Sequence, residues 1–169
     1  RTLALSRQLG DQRREALALQ RLGVVAEEQG QYQQARQRYA ESLAIHRARG
    51  NRPSEGGVLN NLGVVHRDES DYDAARAALA QALAIAREMS NPRLVAIVSS
   101  NLGDVSRDLG DYDAALDHYQ QAMALREEHG NRHGVCSNLA DLGLLLHLIG
   151  DDEAAREYRQ RALDEARAL

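Results

Sequence analysis

Phenylalanine, tryptophan and lysine are absent from this chain, and cysteine, methionine and proline are nearly so, with one, two and two copies. Each scarcity excludes something. A lone Cys136 rules out an internal disulfide framework and fits a reducing compartment, so a cytoplasmic location is the expectation. Few aromatic or β-branched residues and few prolines argue against strands and for helix throughout. No apolar run approaches the roughly 18 residues a transmembrane helix needs. No charged segment leading into an apolar one opens the chain as a secretory signal would. With lysine missing, all 21 basic residues are arginine. An Ala- and Arg-rich chain of this kind fits a GC-rich genome, and a bacterial source is expected.

The formal net charge of −4 is spread over interspersed residues of both signs. That gives neither the basic face of a nucleic-acid binder nor the profile of a membrane protein. Catalytic signatures are missing too: there is no Walker loop, GxGxxG or GxSxG. His129 and His133 straddle a Gly-Asn turn and do not form a helical metal pair. His46, His66, His118 and His147 have no repeated Cys or carboxylate beside them. No cofactor and no enzymatic activity are expected.

What the chain does have is repetition. Asn101–Ala115 (NLGDVSRDLGDYDAA) restates most of Asn61–Ala75 (NLGVVHRDESDYDAA), and the frame returns at Arg21–Ala35 and Asp141–Ala155, a period of 40 residues. Fixed periods of about 20–50 residues mark solenoids and arrays. Residues 1–10 match the end of a second helix, as of a truncated repeat, and the chain reads as a piece of a longer protein. Four units follow, at 11–50, 51–90, 91–130 and 131–169, forming a single array.

Each unit reads as two helices. The A helices are expected near 13–29, 53–69, 93–109 and 133–149, and the B helices near 32–49, 72–89, 112–129 and 152–168. Gly30, Gly50, Gly110, Gly130 and Gly150 stand at left-handed stop positions. Asp71, Asp111, Asp151, Asn51, Asn91 and Asn131 are N-cap candidates, and Pro53 and Pro92 suit a first helical turn. Ser70 and Ser90 take the place of stop glycines and should weaken those ends. Ala74, Ala75, Ala78, Leu79, Ala82, Leu83 and Ala86 form a helical stripe. Gly23, Gly63, Gly103 and Gly143 fall mid-helix, where glycine costs about 1 kcal/mol. They imply a close crossing of A and B helices, with Tyr32, Tyr72 and Tyr112 expected to wedge against it.

Leu62, Gly63, Ser70, Tyr72, Ala75, Leu79 and Ala82, and more fully Leu102, Gly103, Gly110, Tyr112, Ala115, Tyr119 and Ala122, follow the spacing of the tetratricopeptide repeat (TPR). The chain resembles that family over essentially its whole length. Its longer period is similar to that of LGN/Pins-type adaptors, and related arrays form arms of bacterial regulators. The resemblance implies an all-α, right-handed α-solenoid of antiparallel helix pairs, whose concave groove of A helices holds a protein or peptide segment, extended or helical. Departures from the pattern include Ser99 at a large-residue position, Ala26, His66, Ser106 and Leu146 at a mid-helix tyrosine position, and Asp152 in place of the wedge tyrosine.

In such repeats the groove is lined by residues flanking the Leu-Gly pair. In frame these are Gln20, Asn60, Ser100 and Ala140; Arg21, Asn61, Asn101 and Asp141; Val24, Val64, Asp104 and Leu144; and Glu27, Arg67, Arg107 and His147. Asn61 and Asn101 offer an amide donor and acceptor to a peptide backbone, and Arg67 and Arg107 could pair with carboxylates. The other reading is structural: the asparagines brace adjacent repeats, and the arginines pair with Asp68, Asp104 and Asp108. The fourth A helix, with Leu142, Leu144, Leu145, Leu146, Leu148 and Ile149, is apolar on more than one face. Burial under the last B helix is the favoured explanation, contact with another chain the alternative. The function implied is a non-catalytic interaction scaffold from a larger bacterial protein. A peptide-signal sensor arm of a transcriptional regulator and a homo-oligomerising self-assembly module are the alternatives.

Overall fold

A computed structural model describes residues 2–169, and the described residues are helical almost throughout. The helices are α1 (Thr2–Gln8), α2 (Gln12–Glu28), α3 (Tyr32–Ala48), α4 (Arg52–Asp68), α5 (Tyr72–Glu88), α6 (Pro92–Asp108), α7 (Tyr112–Glu128), α8 (Arg132–Leu148) and α9 (Asp152–Arg167). Every boundary from α2 onward falls within one residue of expectation. The reason is local. Asp11, Asn51, Asp71, Asn91, Asp111, Asn131 and Asp151 each accept a hydrogen bond from the backbone N–H three residues on, closing the start of the helix that follows. At the other end, α2 closes with Gln31 N–H donating to Ala26 O at 2.8 Å and Gly30 N–H to Glu27 O at 2.9 Å, the paired bonds of a left-handed stop. Ser70 makes the same turn at φ 61°, with Ser70 N–H to Arg67 O at 2.7 Å and Asp71 N–H to His66 O at 2.8 Å. The hydrogen bonds survive there at the steric cost a Cβ brings to that conformation.

The fold is an all-α solenoid of antiparallel helix pairs, and its contacts divide the chain into two compact units, Arg1–Ser90 and Asn91–Leu169. In the first unit α2 pairs with α3 and α4 with α5, α1 packs on α2, and α3 joins α4. Tyr39, Leu19, Leu79, Val58 and Val65 are its largest fully buried side chains. In the second, α6 pairs with α7 and α8 with α9, and α7 joins α8. There Ala115, Tyr119, Leu142 and Leu145 make one cluster, and Met123, Leu139 and Ala162 another.

The mid-helix glycines do mark the crossings, but the residues that press on them are not the ones expected. A Cβ on Gly23 would stand 2.5 Å from the Tyr39 ring, and one on Gly103 would stand 2.6 Å from the Tyr119 ring. Leu79 fills the same place against Gly63, and the stem of Arg159 against Gly143. In an antiparallel pair, Gly23 and Tyr39 lie at similar depth on either side of the Gly30 turn. Tyr32, Tyr72 and Tyr112 sit beside the turns, too far along the helix to reach the crossing.

The favoured burial of the fourth A helix is corrected as well. Leu142 and Leu145 are buried, but Leu144, Leu148 and Ile149 are 42–48% exposed. Residues 142 and 145 lie one helical turn apart and face α7 and α9, whereas 144 and 148 look the other way, where α9 does not reach.

The junctions within each unit use different chemistry. Arg7 on α1 spans Glu15 on α2 (2.7 Å) and Glu41 on α3 (2.8 Å). Forty residues on, Arg47 spans Glu55 on α4 (2.9 Å) and Gln81 on α5 (3.2 Å) through the same two nitrogens. In the second unit the α7–α8 junction instead holds Asn138, which is fully buried. Its Nδ2 donates to the Tyr119 carbonyl at 3.1 Å, and its Oδ1 accepts from Ser100 Oγ at 3.3 Å.

Candidate interaction surface

The A helices present their polar residues around two tyrosine hydroxyls, one per unit. In the first, Tyr39 Oη donates to Glu27 Oε2 at 2.7 Å, and the Asn61 side chain on α4 reaches the same hydroxyl. Burial holds the Tyr39 phenol well above its ordinary pKa, and the Glu27 carboxylate adds to the effect. Burial likewise raises Glu27, with the Tyr39 hydrogen bond working against it. Arg67 pairs with Asp68 at 3.0 Å.

In the second unit Tyr119 Oη donates to Asp104 Oδ1 at 2.7 Å and accepts from Arg107 Nη1 at 3.1 Å. Arg107 also binds Asp104 (3.2 Å) and Asp108 (2.9 Å). Burial, then Asp104, pushes the Tyr119 phenol far up, and Asp141 on α8 contributes through space. Burial works against the Arg107 cation, but Tyr119 and the two aspartates outweigh it and raise its pKa. Arg107 and Asp104 keep 17% and 19% of their side-chain surface exposed, so the node is firm yet touches solvent.

The remaining sequence candidates fall into three groups. Asn60 and Ser100 are buried: Asn60 Nδ2 donates to Asn61 Oδ1 at 3.4 Å, and Ser100 bonds Asn138. Gln20, Val64, Asn101 and Asp141 are half-buried. His147 is exposed and pairs with Asp152, whose carboxyl it holds below the usual range. Val24 and Leu144, in the frame of Val64 and Asp104, are apolar and exposed. Leu17, Leu22 and Val25 line a further apolar cavity of about 270 Å³ between α1 and α2. Sequence reasoning missed the hydroxyl nodes. Their signal was present, since Tyr39 and Tyr119 stand 80 residues apart in the same frame.

A family model described as tetratricopeptide repeat matches residues 14–88 and 94–168. The chain belongs to the tetratricopeptide repeat family. Solved TPR-like neighbours include BtubC from P. vanneervenii, with a TM-score of 0.81 and 21% identity, covering 94% of this chain and 65% of that one. Aspartyl phosphate phosphatase F from Bacillus subtilis has a TM-score of 0.87 at 14% identity, covering 94% of this chain and 42% of that one. The apo form of RapI has a TM-score of 0.82 at 18% identity, with 94% and 44% covered. This TPR array therefore spans between about two fifths and two thirds of the length of these neighbours. No curated protein sequence matches the chain. None of the described TPR helices is long and apolar enough to cross a membrane.

Proposed function

We propose that this TPR array is a non-catalytic protein-interaction scaffold, and that the A-helix face of each unit takes a segment of a partner protein. The observation that carries the reading is the paired node. In each unit a buried tyrosine hydroxyl fixes charged side chains of an A helix near the surface, Glu27 in the first and Asp104 with Arg107 in the second, and Val24, one turn before Glu27, is apolar and exposed. Side chains held in one geometry before binding lose less entropy when a partner arrives. Phenols held far above neutral pKa keep their protons, which suits holding a partner and not moving protons. Asp104, Asp108 and Asp141 outnumber Arg107 and leave the second face with an acidic excess, whereas Glu27 and Asp68 of the first are balanced by Arg67 and Arg21. The favoured partner is a segment, extended or helical, combining a basic side chain with an apolar one. Asn61 and Asn101 supply the amides that set its register, with Gln20 alongside.

A displayed peptide library selected against the chain supplies ligands for the test. Asn61→Ala combined with Asn101→Ala should weaken the selected peptides by about tenfold in fluorescence anisotropy, the loss of two hydrogen bonds. Unchanged affinity in a variant with native circular dichroism would remove the A-helix face from the proposal.

A further inference from the structure

A cavity of about 400 Å³ lies in the second unit, lined by Pro92, Arg93 and Ala96 of α6, Leu125 and Arg126 of α7, and His129 and Asn131 of the turn. Three of these side chains are basic, and none is acidic. Arg126 is the unusual member. Its Nη1 donates to the Gly134 carbonyl at 3.0 Å, while its Nε is buried with no hydrogen-bond partner. It fits only because Gly134 lacks a side chain: a Cβ there would stand 2.6 Å from Arg126 Cδ. Burial lowers the Arg126 pKa, and Asp141 and Asp104 offset that only through space. A buried guanidinium edge without an acceptor is costly, so the site is short of negative charge.

The first unit shows what is missing. Arg13, His46 and Arg49 occupy the frame of Arg93, Arg126 and His129. There Glu15 and Glu55 stand close by, and each binds an arginine of the preceding B helix. The second unit has Val95 and Val135 at those two positions and gains a cation at 126. The carboxylates are gone and the positive groups remain. His129 Nδ1 is 2.9 Å from the Leu125 carbonyl and must donate to it. Nε2 is the ring nitrogen that remains for a ligand.

We propose that this cavity binds a phosphoryl group, held by Arg93, Arg126 and His129. Guanidinium forks match the oxygen geometry of phosphate, and two guanidinium groups beside an imidazole suit a dianion better than a single carboxylate. The first turn of α6, which Pro92 and Arg93 form beside the cavity, adds its positive dipole end.

The test is an ¹H–¹⁵N NMR titration of the intact chain with inorganic phosphate at constant ionic strength, with acetate as comparator. Saturable shifts should appear at the amides of Arg93, Ala96, Arg126 and His129, with phosphate half-saturating at a concentration about tenfold lower than acetate. Arg93→Gln and His129→Gln alter exposed side chains and should leave the fold intact, while each weakens phosphate by about fivefold or more. Arg49→Gln, in the same frame of the first unit, should change nothing. Phosphoserine serves as a second probe: tighter binding than inorganic phosphate points to a phosphorylated side chain, weaker binding to the free ion, and either order upholds the site. Non-saturating shifts, equal shifts in the first unit, equal affinity for acetate, or indifference to both Gln variants would each overturn it.

Discussion

In the first unit the junction between one helix pair and the next is held by charge. Arg47 leaves the end of α3 and grips Glu55 on α4 and Gln81 on α5, as Arg7 grips Glu15 and Glu41 one repeat earlier. The corresponding place in the second unit has Val135 for Glu55, and the work passes to Asn138, buried between Ser100 and the Tyr119 carbonyl. One junction is peripheral, ionic and sensitive to solvent. The other is internal, neutral and exacting in shape. A repeat fold thus fixes where helices meet while leaving open what joins them.

The contrast can be broken most severely at Asn138. Asn138→Ala removes two buried hydrogen bonds and leaves a void, and should cost about 2–3 kcal/mol in urea unfolding. Asn138→Val, restoring the residue of the second and third repeats, should cost less. Equal stability of wild type and the Ala variant would reduce the buried amide to a passenger.

Next come the crossings. Gly103→Ala forces a methyl group into the Tyr119 ring, which is fully buried and has nowhere to move. The expected loss is about 1–3 kcal/mol, even after the roughly 1 kcal/mol that alanine gains in helix propensity. Gly143→Ala meets Arg159 Cγ at 2.9 Å and the Ala155 carbonyl oxygen at 3.3 Å, a looser crossing with no ring in the way, and should cost less. Thermal melts of the two variants would diverge, and coincident melts would mean that the crossings are looser than the geometry says.

The smallest effect is electrostatic and depends on pH. Burial alone would raise the Glu55 pKa, but bonds from Arg47 and Arg52 outweigh it and bring it below the ordinary carboxylate value. A depressed value contributes stability at neutral pH that is lost as pH falls through the folded-state value. Glu55→Ala should therefore cost about 1 kcal/mol at pH 7, allowing for the screening of the half-exposed arginines, with the difference closing in acid. Glu27 is raised, not lowered. Its contribution is present in acid and lost as pH rises through the folded value, so Glu27→Gln should show the opposite slope. Parallel pH–stability curves for the two variants would contradict both assignments.

Helix positions were readable from the sequence because caps and stops act over three or four residues. Asn51, Asp71, Asn91, Asp111, Asn131 and Asp151 bond as their spacing predicts. The glycine crossings were readable as places, but not by their occupants. Which B-helix residue meets Gly23 depends on the depth of each residue from the turn, and that singles out Tyr39 over Tyr32. The Arg47–Glu55 pair is eight residues apart across a turn, outside the helical neighbour rules. Exposure of Leu144, Leu148 and Ile149 depends on what α9 fails to cover, which no pattern within α8 encodes. On the candidate surface, the sequence frame located Glu27, Asn61, Asp104 and Arg107. The hydroxyls that gather them come from the B helices, outside the frame of the A-helix positions.

The two buried tyrosines also have a spectroscopic consequence. The chain has no tryptophan, and four of its six tyrosines, Tyr32, Tyr72, Tyr112 and Tyr158, are at least partly exposed. Tyr39 and Tyr119 are fully buried, and burial beside a carboxylate holds each phenol well above its ordinary pKa. Each half of the molecule therefore carries one fully buried phenol, and the shift in its ultraviolet absorption on meeting water reports the opening of that half without any added label.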